Sequence, residues 1–200
     1  MRVSLTAKDL ADFEQDIARE FASRNIPHPV HLSMGNEEKL IRVFIDHVGN
    51  EDWIFCSWRS HLHCLLKGVQ PERLKADIMR GRSMALCYPE YKIFSSAIVG
   101  GTAPIAVGVA AGLKMNKTHT HAVVFLGDMT AQTGIVRECM HYAHGHNLPV
   151  RWVIEDNYLS VLTLTEEVWP KLGRLDKPEP ITYGYDNKYP HCGIGQYVEF

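Results

Sequence analysis

The stretch His121-Ala122-Val123-Val124-Phe125-Leu126-Gly127-Asp128, continued through residues 131–145 to Val150-Arg151-Trp152-Val153-Ile154-Glu155-Asp156-Asn157, decides the fold. Two short apolar runs, 122–126 and 150–154, flank a segment long enough to be a crossover helix, and that pattern predicts a βαβ unit with parallel strands. Upstream, small residues predict a helix over Thr102–Met115. The expected architecture is therefore α/β, a doubly wound, mostly parallel sheet with helices on both faces. In such sheets ligands collect at the carboxyl ends of the strands. Here each strand runs out into a residue able to bind a cation, Asp128 after the first and Asn157 after the second. Sequential strands usually lie side by side, so the two side chains can reach one ion. A carboxylate and an amide oxygen, completed by water and phosphate oxygens, suit Mg²⁺. Gly127 lets a ligand approach the backbone closely beside the start of the following helix. The plainer alternative is that Asp128 caps a helix and Asn157 opens a turn.

Further out, Leu10, Phe13, Ile17 and Phe21 recur at helical spacing after Thr6-Ala7-Lys8-Asp9, a capping-box start. Leu40, Ile41, Phe44, Ile45 and Val48 predict a second helix ending near Gly49-Asn50, and residues 52–58 read as extended. A helical turn over 62–67 stops at Gly68, and Pro71 opens another. Residues 82–91 read as loop. Beyond Trp169-Pro170 the chain reads as loop ending in a short strand at 197–200. The expected organisation is an N-terminal helical arm (1–30), a binding domain (31–170) and a C-terminal tail (171–200).

Lys plus Arg number 21 against 23 Asp plus Glu, so no net positive field draws nucleic acid or anionic lipid. The 5 cysteines never fall in C-x-x-C spacing, which points to free thiols and a cytoplasmic location. The N-terminus meets charge before any apolar run of secretory length. Residues 93–113 carry no charge, yet Gly100, Gly101, Pro104, Gly108 and Gly112 make them a loop and a core helix rather than a membrane span. His141, His144 and His146 share a helix and its end, but no Cys or carboxylate completes a zinc set. No G-x-G-x-x-G follows a strand and no Gly-Lys-Ser/Thr occurs, which excludes Rossmann and P-loop readings.

Gly127-Asp128, followed 29 positions later by Asn157, resembles the thiamine diphosphate motif, GDG and then Asn one strand–helix–strand unit further on. Three more segments agree in order. Ser33-Met34-Gly35-Asn36-Glu37 resembles the G-x-E start of a helix, Trp58-Arg59-Ser60-His61-Leu62-His63 a YR-x-HGH segment, and Ala97-Ile98-Val99-Gly100-Gly101 a GIVGA loop. Together they resemble the alpha subunits of thiamine diphosphate-dependent 2-oxo acid and acetoin dehydrogenases. That resemblance implies thiamine diphosphate and Mg²⁺ as cofactors. Asp128 and Asn157 would hold the metal by side chain and Leu159 by its carbonyl. Arg59 and Trp58 would meet the diphosphate, Ala97 and Val99 the aminopyrimidine with Ile98 as apolar support, and Gly127 and Met129 would line the motif. His61 and His63 would face the cofactor mouth and substrate.

The resemblance further implies a partner beta chain carrying the pyrimidine-binding domain and an activating glutamate, in a heterotetramer of two alpha and two beta chains. The implied reaction is cleavage of a C–C bond next to a carbonyl, foremost decarboxylation of a 2-oxo acid. Transketolase-type ketol transfer from a ketose, simple decarboxylation, and a non-catalytic scaffolding subunit are the alternatives. Three departures bear on this, one being Leu62 where the family has glycine between the two histidines. Met129 stands where glycine is usual, a strained choice if φ there is positive. The family also carries a catalytic histidine on a later loop, and the sequence does not assign His191 to that role.

Overall fold

The computed structural model describes residues 4–169 and 179–195. Six strands form one sheet in the order β2-β3-β1-β4-β5-β8: β1 (Trp53–Cys56), β2 (Cys87–Tyr88), β3 (Ile93–Ser95), β4 (Ala122–Gly127), β5 (Val150–Asp156) and β8 (Ile181–Gly184). All neighbours are parallel except β2, which runs against β3. A small hairpin, β6 (Leu159–Ser160) and β7 (Thr163–Leu164), follows β5.

Side-chain alternation along β4 shows why both faces are covered. Val123 and Phe125 point into a core with Ile54, Leu10, Ile17 and Phe44, under α1 (Ala7–Ala22), α2 (Glu37–His47), α3 (His61–Leu66) and α4 (Pro71–Asp77). Ala122, Val124 and Leu126 point the other way, into Ala103, Ala106, Ala110, Val136 and Met140 of α5 (Thr102–Met115) and α7 (Gly134–Gly145). The small residues of α5 let it lie close to the sheet. Gly100, at φ +71°, permits the turn into that helix, and a Cβ there would stand 2.9 Å from Ile135 Cγ2.

The expected α/β sheet is present, with four corrections of detail. The N-terminal helix is no arm. Its capping box forms, Asp9 N–H donating to Thr6 Oγ1 at 3.2 Å and Thr6 N–H to Asp9 Oδ2 at 2.7 Å, but its apolar stripe of Leu10, Ile17 and Phe21 is packed in the main core. Residues 82–91 are not a plain loop, since they hold β2 and a 3₁₀ turn at Pro89–Tyr91. The crossover helix is broken into α6 (Asp128–Ala131) and α7, because the chain turns at Gln132-Thr133. The tail contributes β8 at the sheet edge, where Tyr183 and Gly184 pair with Glu155 and Asp156. The strand expected at 197–200 lies outside the described residues. No helix among the described residues is long and apolar enough to cross a membrane.

Candidate functional site

From β1 the sheet grows one way to β3, and from β4 it grows the other way through β5 to β8. The gap between the carboxyl ends of β1 and β4 is therefore the topological switch point, the place where open α/β sheets take ligands. A pocket of about 300 Å³ opens there. Trp58 and Arg59 enter it after β1, Ala97 and Val99 after β3, Gly127, Asp128 and Met129 after β4, and Asn157 and Leu159 after β5. Three of the four segments singled out by the resemblance thus leave β1, β3, β4 and β5 at one end of one sheet, while residues 33–37 do not line the pocket.

Ile98 is the exception among the residues expected at the cofactor. Its side chain is 72% exposed and does not line the pocket. His61 and His63 are also corrected. Neither borders the pocket, and both are buried. They open α3, all six residues of which are buried, so a two-residue spacing turns the rings to different interior faces instead of a common mouth. His61 Nδ1 lies 3.2 Å from Glu14 Oε1 and its Nε2 2.9 Å from Ser83 Oγ. His63 packs edge-on to Phe125 at 4.5 Å between ring centroids, with Nε2 3.3 Å from Glu155 Oε1.

Two histidines that sequence reasoning left unplaced do line the pocket, His31 and His191. Their rings meet edge-on at 5.1 Å, and Trp58 stands 6.2 Å from each. His31 immediately precedes the Leu32-to-Glu37 segment and belongs to no motif of its own. His191 arrives by a tertiary route. Lys188 N–H donates to Met34 O at 3.0 Å and Gly193 N–H to Val30 O at 2.8 Å, laying the tail along residues 30–34. Gly35, at φ +117°, makes room for that crossing, because a Cβ there would lie 2.3 Å from Asp186 O.

Arg59 Nη2 donates to His191 O at 3.0 Å, a neutral acceptor, and no carboxylate among the described residues pairs with the guanidinium. Arg59 Nε, Trp58 Nε1 and His31 Nδ1 are buried and have no hydrogen-bond partner among the described residues. Leaving buried donors unpaired costs free energy that an incoming acceptor recovers. One wall is thus an unneutralised cation beside unsatisfied N–H groups, suited to an anion. Burial, reinforced by Arg59 and His191, holds His31 down to about 4 from its ordinary 6.5, and burial with Arg59 lowers His191 as well.

The facing wall carries oxygen. Asp128 accepts from the Thr165 hydroxyl, and burial pushes its carboxyl up to about 6, against the Thr165 bond and with the Asp156 carboxylate adding to the rise. Asn157 and Leu159 line the same wall, Leu159 N–H closing a turn on Asn157 Oδ1 at 3.4 Å. Among the described residues no cluster of three or more His, Cys, Asp or Glu forms a metal cage. One carboxylate, one amide and one backbone carbonyl beside an anion-binding wall is nonetheless the donor set of a hard cation that keeps phosphate oxygens in its shell. Met129 lies in the short helix α6 and is not among the positive-φ residues, so its backbone is compatible with a side chain there.

Comparisons with known proteins agree with this arrangement. Residues 6–168 match the family described as "Dehydrogenase E1 component". The chain is 29% identical over 160 residues to the alpha subunit of acetoin:2,6-dichlorophenolindophenol oxidoreductase of Cupriavidus necator, covering 75% of this chain and 48% of that protein. It is 32% identical over 165 residues to the pyruvate dehydrogenase E1 component subunit alpha of Rickettsia conorii, covering 77% of this chain and 50% of that protein. The chain spans about half the length of the curated relatives it matches.

Proposed function

The chain belongs to the dehydrogenase E1 component family, and from that membership we propose that it supplies the diphosphate- and metal-binding half of a thiamine diphosphate enzyme's active site. It acts as the alpha-type subunit, and the reaction is decarboxylation of a 2-oxo acid of the dehydrogenase type. One observation supports this above the others: an arginine with no carboxylate partner among the described residues, with buried unpaired N–H groups beside it, shares the switch-point pocket with Asp128 and Asn157.

In this reading Arg59 and the Trp58 indole N–H bind the diphosphate, and Asp128, Asn157 and the Leu159 carbonyl hold Mg²⁺. Ala97 and Val99 offer backbone to the aminopyrimidine. Thiamine diphosphate, when bound, supplies the nucleophilic ring carbon and the electron sink that C–C cleavage next to a carbonyl requires. Met84, Val99 and Met129 give the pocket apolar surface, which excludes water and strengthens the charge interactions inside it. His31 and His191, rather than His61 and His63, are the imidazoles placed to touch a ligand. The glutamate that activates the aminopyrimidine comes from a beta-type partner in a heterotetramer of two alpha and two beta chains, located in the cytoplasm.

Calorimetric titration of the protein with thiamine diphosphate and Mg²⁺ tests the proposal. Metal-dependent binding that is lost in Asp128→Ala is expected; no binding, or binding unaffected by that substitution, rejects it. Assaying CO₂ release from 2-oxo acids against ketol transfer to an aldose separates the two chemistries once the partner chain is present.

A further inference from the structure

Glu14 is 1% exposed in the middle of α1, on the stripe otherwise formed by Leu10, Ile17 and Phe21. A leucine there would continue the stripe, so packing alone gives no reason for a carboxylate. Its bonds give one. Glu14 Oε2 accepts the Ser33 N–H at 2.6 Å, and Glu14 Oε1 lies 3.2 Å from His61 Nδ1. A carboxylate only accepts, so Nδ1 carries the proton, and Nε2 engages the Ser83 hydroxyl at 2.9 Å. Each of the three segments reached in this way puts a side chain into the pocket: His31 two residues before Ser33, Trp58 and Arg59 just before His61, and Met84 next to Ser83. Residues 31–33, 58–60 and 83–84 lie outside the strands of the sheet, so no ladder hydrogen bonds fix them.

We propose that Glu14, acting through His61 and Ser83, is a positioning residue that sets the geometry of the pocket's anion-binding wall. The proposal deepens the diphosphate-site reading and rests on it for the identity of the ligand. Hydrogen bonds to a buried charge are directional, and holding groups that touch a ligand is the use to which such outer partners are put. A buried carboxylate at the opposite end of the sheet provides the control. Asp52 accepts from Gly49 N–H at 2.8 Å, His121 N–H at 2.7 Å and Arg151 Nη1 at 3.2 Å, none of them from a pocket residue.

The test compares Glu14→Gln, Ser83→Ala and Asp52→Asn in the full chain. It reads the calorimetric affinity for inorganic diphosphate with Mg²⁺, the nuclear magnetic resonance signals of the Trp58 indole N–H and the His31 ring, and the thermal midpoint. In Glu14→Gln an NH₂ donor replaces one of the two oxygens that face Ser33 N–H and His61 Nδ1, so one of those groups loses its acceptor. Diphosphate affinity is expected to fall on the order of tenfold, the scale on which such outer partners act, and the Trp58 and His31 signals to move. Ser83→Ala moves them less, and Asp52→Asn lowers the midpoint while moving neither. Glu14→Gln with unchanged affinity and unchanged signals overturns the proposal, as does an Asp52→Asn protein that reproduces its changes. If Glu14→Gln does not fold, unmoved signals in Ser83→Ala overturn it in the same way. If the unaltered protein binds no diphosphate, the ligand reading fails, while the Trp58 and His31 signals still decide the role of Glu14.

Discussion

At the amino end of the sheet Asp52 has three donors on its oxygens, and Lys67, buried beside it, gives its ammonium protons to the carbonyls of Asn50 and Asp52 at 3.0 and 2.8 Å. At the carboxyl end Arg59 meets only neutral groups of His191 among the described residues, its carbonyl at 3.0 Å and its Nδ1 at 3.5 Å, while Trp58 Nε1 and His31 Nδ1 have no partner among them. Burial depresses a base at either end, Lys67 to about 8 and His31 to about 4, so both ends exclude water. The difference lies in satisfaction. The amino end has turned its polar groups into stabilising bonds, whereas the carboxyl end keeps donors in reserve for a ligand and gives up stability to do so.

If that contrast holds, four substitutions separate binding from stability. Arg59→Met has the largest effect, weakening inorganic diphosphate about 100-fold by calorimetry, as loss of a charged hydrogen-bonding partner should, with little change in unfolding midpoint. Asp52→Asn does the reverse, costing about 2 kcal/mol in urea unfolding and leaving diphosphate affinity unaltered. A third substitution concerns pH. Between about 4 and 6.5 the unfolded chain takes up a proton at His31 that the folded chain refuses, so this histidine makes stability fall as pH drops through that window and has no effect above it. His31→Asn should remove about 2 kcal/mol of the stability lost between pH 7 and 4.5, measured by urea unfolding. Last, Met129→Gly, which restores the residue usual in the motif, should cost about 1 kcal/mol because position 129 is helical. A gain in stability there would mean that the methionine is strained after all.

Asp128 and Asn157 were legible because each follows an apolar run that reads as a buried strand, and parallel pairing of the two strands brings both to one end. Trp58-Arg59 and Ala97-Val99 came only from the family resemblance, since the strand Ile93–Ser95 that leads to Ala97 reads as loop in the sequence and takes its form only by pairing with β1 and β2. His61 and His63 were misplaced for the converse reason. A histidine pair reads as ligand chemistry, and nothing local announces that α3 is enclosed on every side, with Glu14 waiting 47 residues upstream to take one of the rings. The tail was missed because Ile181–Gly184 is short and lacks alternation; it becomes a strand only against the open edge of β5.

By itself the sequence determined the βαβ core, the order of the strands' carboxyl-end residues and the character of the oxygen donors, since periodicity and composition act over a few residues at a time. Tertiary structure alone decided that the N-terminal helix is core rather than arm, that His31 and His191 face the pocket while His61 and His63 do not, and that no carboxylate among the described residues neutralises Arg59. Those outcomes depend on which distant groups meet, and burial and charge pairing are settled only when the chain closes on itself.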